Sequence, residues 1–146
     1  MRKWHFFIAD SLEVGDIFLS ISPELCSTNP HYHIVIYKNN DNGNILVVHT
    51  SSEIDKVRAR CQGRENIKFD YIEPETMVII DNYHCRSLTV KSAIDCNKAI
   101  LKNISYFTQK QYFKKCLPII DTTIIEVIKN AIRKSPVIAL NIIDLL

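Results

Sequence analysis

Over the first ninety residues the hydrophobic positions form short runs of the kind found in β-strands. In residues 15–22 apolar and polar residues alternate, which places Ile17, Leu19 and Ile21 on one face of an extended chain. Strands this short and this closely spaced favour a small antiparallel barrel or a curled sheet. Five further runs predict strands: residues 31–37, 45–50, 68–72, 76–81 and 85–90.

The runs at residues 31–37 and 45–50 are joined by a polar connection that predicts a hairpin. Residues 38–44 have the sequence KNNDNGN, and Asn and Gly tolerate the positive φ angles of tight turns. A hairpin places the beginning of its first strand beside the end of its second. Residues 31–33 are therefore expected to lie near residues 49–51.

Beyond residue 91 the apolar positions recur every three or four residues, which is typical of helices. Ser92 followed by Asp95 has the form of a helix N-cap, and Thr108 with Gln111 predicts the start of a second helix. Thr122 or Thr123 is expected to cap a third. The apolar stripe of this third helix consists of isoleucines: Ile124, Ile125, Ile128 and Ile132.

The last ten residues, 137–146, are apolar nearly all round. A helix of this kind is expected to be buried, either in this chain or against a partner. The hydrophobic pattern thus predicts one α+β domain over residues 1–146. It consists of a β-barrel part at residues 1–91 and a helical extension at residues 92–146.

Composition supports a folded domain and excludes several classes of protein. Hydrophobic residues make up 47% of the chain and charged residues 23%, with three glycines and five prolines, so disorder and collagen-like repeats are excluded. The five cysteines are scattered without a C-x-x-C pair, which argues against a disulfide scaffold or a structural zinc site. Apolar runs are too short for a membrane span or a signal peptide. We therefore expect a cytoplasmic protein without membrane attachment.

Charge is nearly balanced, with 18 basic and 16 acidic residues and a net charge of +2. Bulk charge alone does not indicate nucleic-acid binding, so any such surface must be local. The five histidines make the charge sensitive to pH, since their protonation would bring it from +2 to +7.

The densest set of candidate functional residues lies on the predicted hairpin. His31 and His33 share one face of their strand, and the hairpin brings them near His49, Thr50 and Ser51. A basic segment follows and is predicted to be a loop. Its cations are Lys56, Arg58, Arg60 and Arg64.

Three functions and one structural explanation fit this set. Metal-independent RNA cleavage needs an acid, a base and groups that hold phosphate, which His, Arg and Thr supply. Three histidines also fit a metal site, although no Asp or Glu is adjacent. Simple nucleic-acid binding would combine the basic segment with Tyr32, Tyr37 and Tyr71. Alternatively, the histidines are ordinary hydrogen-bonded residues of a strand.

Three sequence segments resemble the PemK/MazF-like family of toxins. They are VGDIF at residues 14–18, PHYHIVI at 30–36 and ILVVHTS at 45–51, and the resemblance extends over about residues 13–97. It implies an SH3-like barrel, a homodimer, metal-independent endoribonuclease activity and a cognate antitoxin. Thr50 matches the catalytic Thr of the family and Ser51 its neighbour. Where the family has an Arg at the head of the second strand, this chain has His31 or His33.

The leading hypothesis is accordingly a toxin-like endoribonuclease that cleaves single-stranded RNA through its 2′-OH, with no metal and no cofactor. His33 is expected to be the acid or base, with Thr50 and His31 as further catalytic residues. Contacts to RNA are expected from Ser51, His49, Arg58, Arg60 and Arg64. The alternative is a non-catalytic module whose apolar C-terminal helices bind a protein partner.

Overall fold

The computed structural model describes residues 12–21, 29–109 and 112–146. Within these ranges the chain forms seven β-strands and four α-helices. The strands are β1 (Ile17–Ser20), β2 (His31–Lys38), β3 (Asn44–Ser51), β4 (Met77–Ile80), β5 (Ser92–Asp95), β6 (Ile100–Asn103) and β7 (Phe113–Cys116). The helices are α1 (Ile54–Arg64), α2 (Ile104–Thr108), α3 (Thr123–Arg133) and α4 (Leu140–Ile143), and a 3-10 turn at Cys96–Lys98 separates β5 from β6.

The strands form one antiparallel sheet in the order β4-β5-β3-β2-β1-β7. Strand β3 is central, since one of its edges pairs with β2 and the other is shared between β6 and β5. In the described part of the chain, β4 and β7 each pair with one neighbour and not with each other. The α+β class is confirmed, whereas the expectation of a closed barrel is wrong because the sheet remains open.

The first half of the sheet follows the hydrophobic pattern. Strands β1 and β4 and the hairpin of β2 and β3 form where alternating or β-branched runs predict them. The predicted strands at residues 68–72 and 85–90 are wrong, because these segments form turns and bends. The segment expected to be a basic loop is helix α1. Its only buried side chains are Val57 and Cys61, one helical turn apart, so its apolar stripe is too narrow to stand out in the sequence.

The prediction that the chain is helical from residue 92 is also wrong. Strands β5 and β6 lie there and together cover the outer edge of β3, which satisfies its backbone groups. Asp95 does accept a hydrogen bond from the backbone N–H of Asn97, but it caps the 3-10 turn between the strands instead of an α-helix. The helix predicted from Thr108 is replaced by β7, which pairs with β1; Gln111 lies outside the described residues.

Helix α3 confirms the predicted isoleucine stripe and covers one face of the sheet. Ile128 and Ile132 are fully buried in the same core cluster as Ile34 and Val48 of the hairpin. The opposite face packs Phe18 against Phe107 of α2. Among the described helices none is long and apolar enough to cross a membrane.

The end of the chain is more exposed than its composition predicts. Leu140 in α4 is 76% exposed and Val137 is 57% exposed. Ile138, Ile142 and Leu146 are partly buried against the main core. The expectation that residues 137–146 are buried all round is therefore wrong for this chain by itself.

Candidate functional site

A cleft of about 420 Å³ lies where β2 begins and β3 ends. Antiparallel pairing of β2 with β3 sets His33 opposite His49, and this register brings His31 next to the last residues of β3. His31, Thr50 and Ser51 all line the cleft, as the hairpin argument predicts. Other lining residues come from the neighbouring chain segments: Pro30, Tyr32, Ser52, Glu53, Thr89 and Ser92.

His31 is held by a contact across the hairpin. Its Nδ1 atom lies 3.0 Å from the backbone carbonyl oxygen of Thr50. Because a carbonyl oxygen only accepts hydrogen bonds, Nδ1 is the donor, and Nε2 of the neutral ring is left with its lone pair. His31 is half-buried, so part of its side chain is accessible from the cleft. With Nδ1 as the donor, Nε2 is the nitrogen that can act as a base.

The two hydroxyl residues differ in accessibility. Thr50 is buried and pairs with Ile94 of β5, while Ser51 is half-buried and pairs with Ala93. The Ser51 Oγ accepts a hydrogen bond of 3.2 Å from the backbone N–H of Glu53 and so shapes the turn into α1. Of the two, Ser51 is better placed to donate its hydroxyl proton to a bound phosphate.

His33 lies in the core beneath the cleft. Its ring stacks on Phe18 at 5.0 Å between centroids and lies 6.2 Å from Phe107, and the residue is fully buried. Its Nδ1 atom is 2.9 Å from the backbone oxygen of His31. A side chain without exposed surface has no direct route to a substrate, so the arrangement does not favour the expected role of His33 as the acid or base.

His49 is also buried, and no hydrogen-bond partner for its Nδ1 lies among the described residues. Burial, together with the neighbouring His33 and His31, lowers its pKa to about 3. The ring is therefore neutral at physiological pH. A neutral, buried ring does not support the expected contact between His49 and RNA.

The His49 ring lies close to the other two histidine rings. Its centroid is 6.0 Å from that of His31 and 6.1 Å from that of His33. Within residues 12–21, 29–109 and 112–146, no group of three or more His, Cys, Asp or Glu side chains is arranged to hold a metal ion. The histidine cluster therefore gives no positive support to the metal-site hypothesis.

The arginines of α1 are held by carboxylates away from the cleft. Arg58 bonds Glu73 and Asp55, each at 2.7 Å. Arg64 donates to Asp95 at 2.7 Å, and Arg60 lies 3.5 Å from the same carboxylate. None of the three lines the cleft, so the structure does not bring them together with His31.

Asp95 organises a buried polar network that the sequence pattern does not predict. Its carboxylate also accepts hydrogen bonds of 3.0 Å from the backbone N–H and the side-chain amide of Asn97. The Asn97 side-chain amide in turn donates to Thr76, the residue before β4, and accepts from Ser135, two residues beyond α3. Burial alone raises the pKa of the Asp95 carboxyl, but the hydrogen bonds from Arg64 and Asn97 outweigh it, and the pKa lies below its usual value.

The sequence carries only a weak signal for this network. Asp95 and Asn97 lie between the apolar residues Ala93 and Ile94 and the apolar residues Ala99 and Ile100, yet their partners Arg64 and Thr76 are distant in the chain. Through Arg64 and Asp95 the network joins α1 to β5 of the sheet.

Comparison with known proteins does not extend these findings. A scan against protein-family models found no match, and a search of the curated proteins found none.

Proposed function

We propose that this protein is a metal-independent endoribonuclease that cleaves single-stranded RNA in the cleft of His31, Thr50 and Ser51. The observation that carries the proposal is the contact between His31 Nδ1 and the Thr50 carbonyl oxygen, since it leaves Nε2 as a base. The cleft also has several hydroxyl groups that can donate to phosphate oxygens, those of Ser51, Ser52 and Thr89.

The chemistry requires no group beyond the chain and water. Nε2 of His31 accepts the proton of the ribose 2′-OH, and the 2′-oxygen forms a bond to the adjacent phosphorus. The bond from phosphorus to the 5′-oxygen breaks, which leaves a 2′,3′-cyclic phosphate, and the departing oxygen takes a proton from water in the open cleft. Hydroxyl donors such as Ser51 stabilise the charge that develops on the phosphate oxygens.

This assignment differs from the sequence hypothesis in the role of His33. We propose that His33 supports the site through its 2.9 Å contact with the His31 backbone oxygen, because its ring is enclosed by Phe18 and Phe107. It is a positioning residue, and the base is His31.

The proposal includes the wider setting that the PemK/MazF resemblance implies. An SH3-like arrangement is supported by the short, antiparallel strands and by β3 sharing one edge between β5 and β6. A homodimer and a cognate antitoxin rest on the sequence resemblance alone. A reducing, cytoplasmic setting agrees with the free thiols of Cys61, Cys85, Cys96 and Cys116.

RNA cleavage in EDTA by the wild type and by His31→Ala tests the proposal directly. His84→Ala is the matched control, because His84 is a partly buried histidine that pairs with Asp81 and does not line the cleft. We expect the wild type and the control to cleave and His31→Ala to lose cleavage. An inactive wild type would overturn the proposed endoribonuclease activity, and full activity in His31→Ala would overturn the assignment of the site.

A second candidate function has one observation in its favour. Leu140 and Val137 expose large apolar side chains at the end of the chain, as a surface that binds a protein partner would. This candidate is a non-catalytic module. Leu140→Asp tests this candidate, because it changes an exposed side chain and leaves the core in place. A truncation after Pro118 would also remove the buried isoleucines of α3 and so disturb the fold. This candidate is favoured if the wild type cleaves no RNA but forms a complex with a protein partner, and if Leu140→Asp folds normally and no longer forms that complex.

A further inference from the structure

Tyr32 separates the candidate site from a second cleft of about 600 Å³. Both clefts include Tyr32 in their walls. The second is lined further by Leu19 of β1, by Lys114, Lys115 and Cys116 of β7, and by Ser87 and Leu117. The two clefts therefore meet at one half-buried aromatic ring.

The strand registers arrange the residues around Tyr32 in a row across the sheet. Lys114 pairs with Leu19, and Leu19 pairs with Tyr32. Continuing the pairing of His33 with His49 by one residue sets Tyr32 opposite Thr50. Directly paired residues of neighbouring strands have side chains on the same face, so Lys114, Leu19, Tyr32 and Thr50 share one face. His31 precedes Tyr32 at the end of β2 and reaches the cleft from the other face. The row spans three strand spacings, or about 14 Å.

Lys114 is the cation of this row. It is exposed and forms no ion pair with another described residue, whereas the neighbouring Lys115 lies 3.4 Å from Asp16. The arginines that the sequence favoured for RNA binding are engaged by Glu73, Asp55 and Asp95. Lys114 therefore offers positive charge to a phosphate on the β7 side of Tyr32, while Lys91, next to Ser92, offers it on the other side of the cleft.

We propose that this row is the binding track for the RNA strand that the candidate site cleaves, with a base stacked on Tyr32 and a flanking phosphate bound by Lys114. This inference rests on the proposed function and adds the side of the site on which the strand lies. Aromatic stacking combined with a nearby cation is the usual way in which proteins hold single strands without reading their sequence. A length of about 14 Å exceeds the ~3.4 Å between stacked nucleotides of one strand, so Lys114 would bind a phosphate other than the scissile one.

Binding of a fluorescent single-stranded RNA, measured over a series of salt concentrations, tests this inference. All variants carry His31→Ala so that cleavage does not interfere. Lys114→Ala is compared with Lys68→Ala, a matched loss of an exposed lysine that lines neither cleft. We expect Lys114→Ala to bind more weakly and to reduce the slope of log K against log salt by about 0.7, the value for one phosphate contact on a single strand.

Tyr32→Leu, which keeps an apolar side chain against the core, is expected to weaken binding about fivefold or more through the loss of one stacked base. Equal affinities and slopes for Lys114→Ala and Lys68→Ala would overturn the inference while leaving cleavage by the otherwise wild-type chain intact. If the His31→Ala chain binds no RNA and the wild type cleaves none, the proposed function fails together with the inference.

Discussion

The Nδ1 atom of His31 lies 3.0 Å from the backbone carbonyl oxygen of Thr50, and this contact joins the first residue of β2 to the end of β3. It does two things at once. It holds the ring at the mouth of the cleft, and it makes Nδ1 the donor, so that Nε2 is the nitrogen that can accept a proton.

Replacing His31 with asparagine separates these two effects. The Asn amide has an N–H that can donate to the Thr50 carbonyl oxygen, but it has no basic nitrogen. We expect His31→Asn to fold normally and to lose about 10²- to 10⁴-fold in cleavage rate, the usual contribution of a general base. Single-turnover cleavage and thermal unfolding measure the two properties. A folded variant that cleaves at the wild-type rate would show that His31 is not the base.

The burial of His49 makes the free energy of unfolding depend on pH. Its pKa is about 3 in the folded chain and near 6.5 in the unfolded chain, so below pH 6.5 the unfolded state binds the extra proton. Above pH 6.5 the ring is neutral in both states, so the lowered pKa has no effect on stability. As the pH falls from 6.5 toward 3, the free energy of unfolding decreases by about 1.4 kcal/mol for each pH unit.

We expect His49→Leu to weaken this pH dependence. Between pH 7.5 and pH 5 the free energy of unfolding should therefore fall less in the variant than in the wild type. Urea unfolding at the two pH values measures the difference. His84→Leu, at a partly buried position, is the control. If His49→Leu leaves the pH dependence unchanged, other groups are responsible for it.

The parts of the fold that the sequence predicts well are those whose signals are local. The hairpin of β2 and β3 follows from β-branched runs around an Asn- and Gly-rich loop, and α3 follows from its isoleucine stripe. The sequence does not predict strands β5 and β6, because Ser92 and Asp95 have the form of a helix cap, whereas the strands form by pairing with the edge of β3. Such pairing joins segments that are distant in the chain and leaves little trace in either.

The candidate site is likewise predictable only where its contacts follow from local sequence signals. The proximity of His31 to Thr50 and Ser51 follows from the hairpin register alone. The burial of His33 does not, because it depends on Phe18 and Phe107, which arrive from β1 and α2. The engagement of Arg64 by Asp95 is likewise a contact between distant elements.

The pair of Arg64 and Asp95 is expected to stabilise the fold in an asymmetric way. Asp95 is 1% exposed in its side chain, whereas Arg64 is 30% exposed. Arg64→Met leaves the buried carboxylate with fewer donors, and we expect a loss of about 1–3 kcal/mol in the free energy of unfolding. Adding Asp95→Asn to this variant removes the charge that Arg64 no longer balances, so the double variant should lose less than the sum of the two single changes. Additive losses in urea unfolding would show that the two side chains do not interact.

Ile132 and Leu140 provide a matched pair of large apolar side chains in the last third of the chain. Ile132 is fully buried against the sheet, while Leu140 is 76% exposed. Truncation of Ile132 to alanine leaves a cavity, and we expect it to cost about 2–5 kcal/mol of stability. Leu140→Ala removes surface that is already in water, so its effect on the isolated chain should stay within about 0.5 kcal/mol. Thermal or urea unfolding of both variants at two protein concentrations tests this contrast. A concentration-dependent loss of stability in Leu140→Ala would mean that a second copy of the chain covers this side chain in solution.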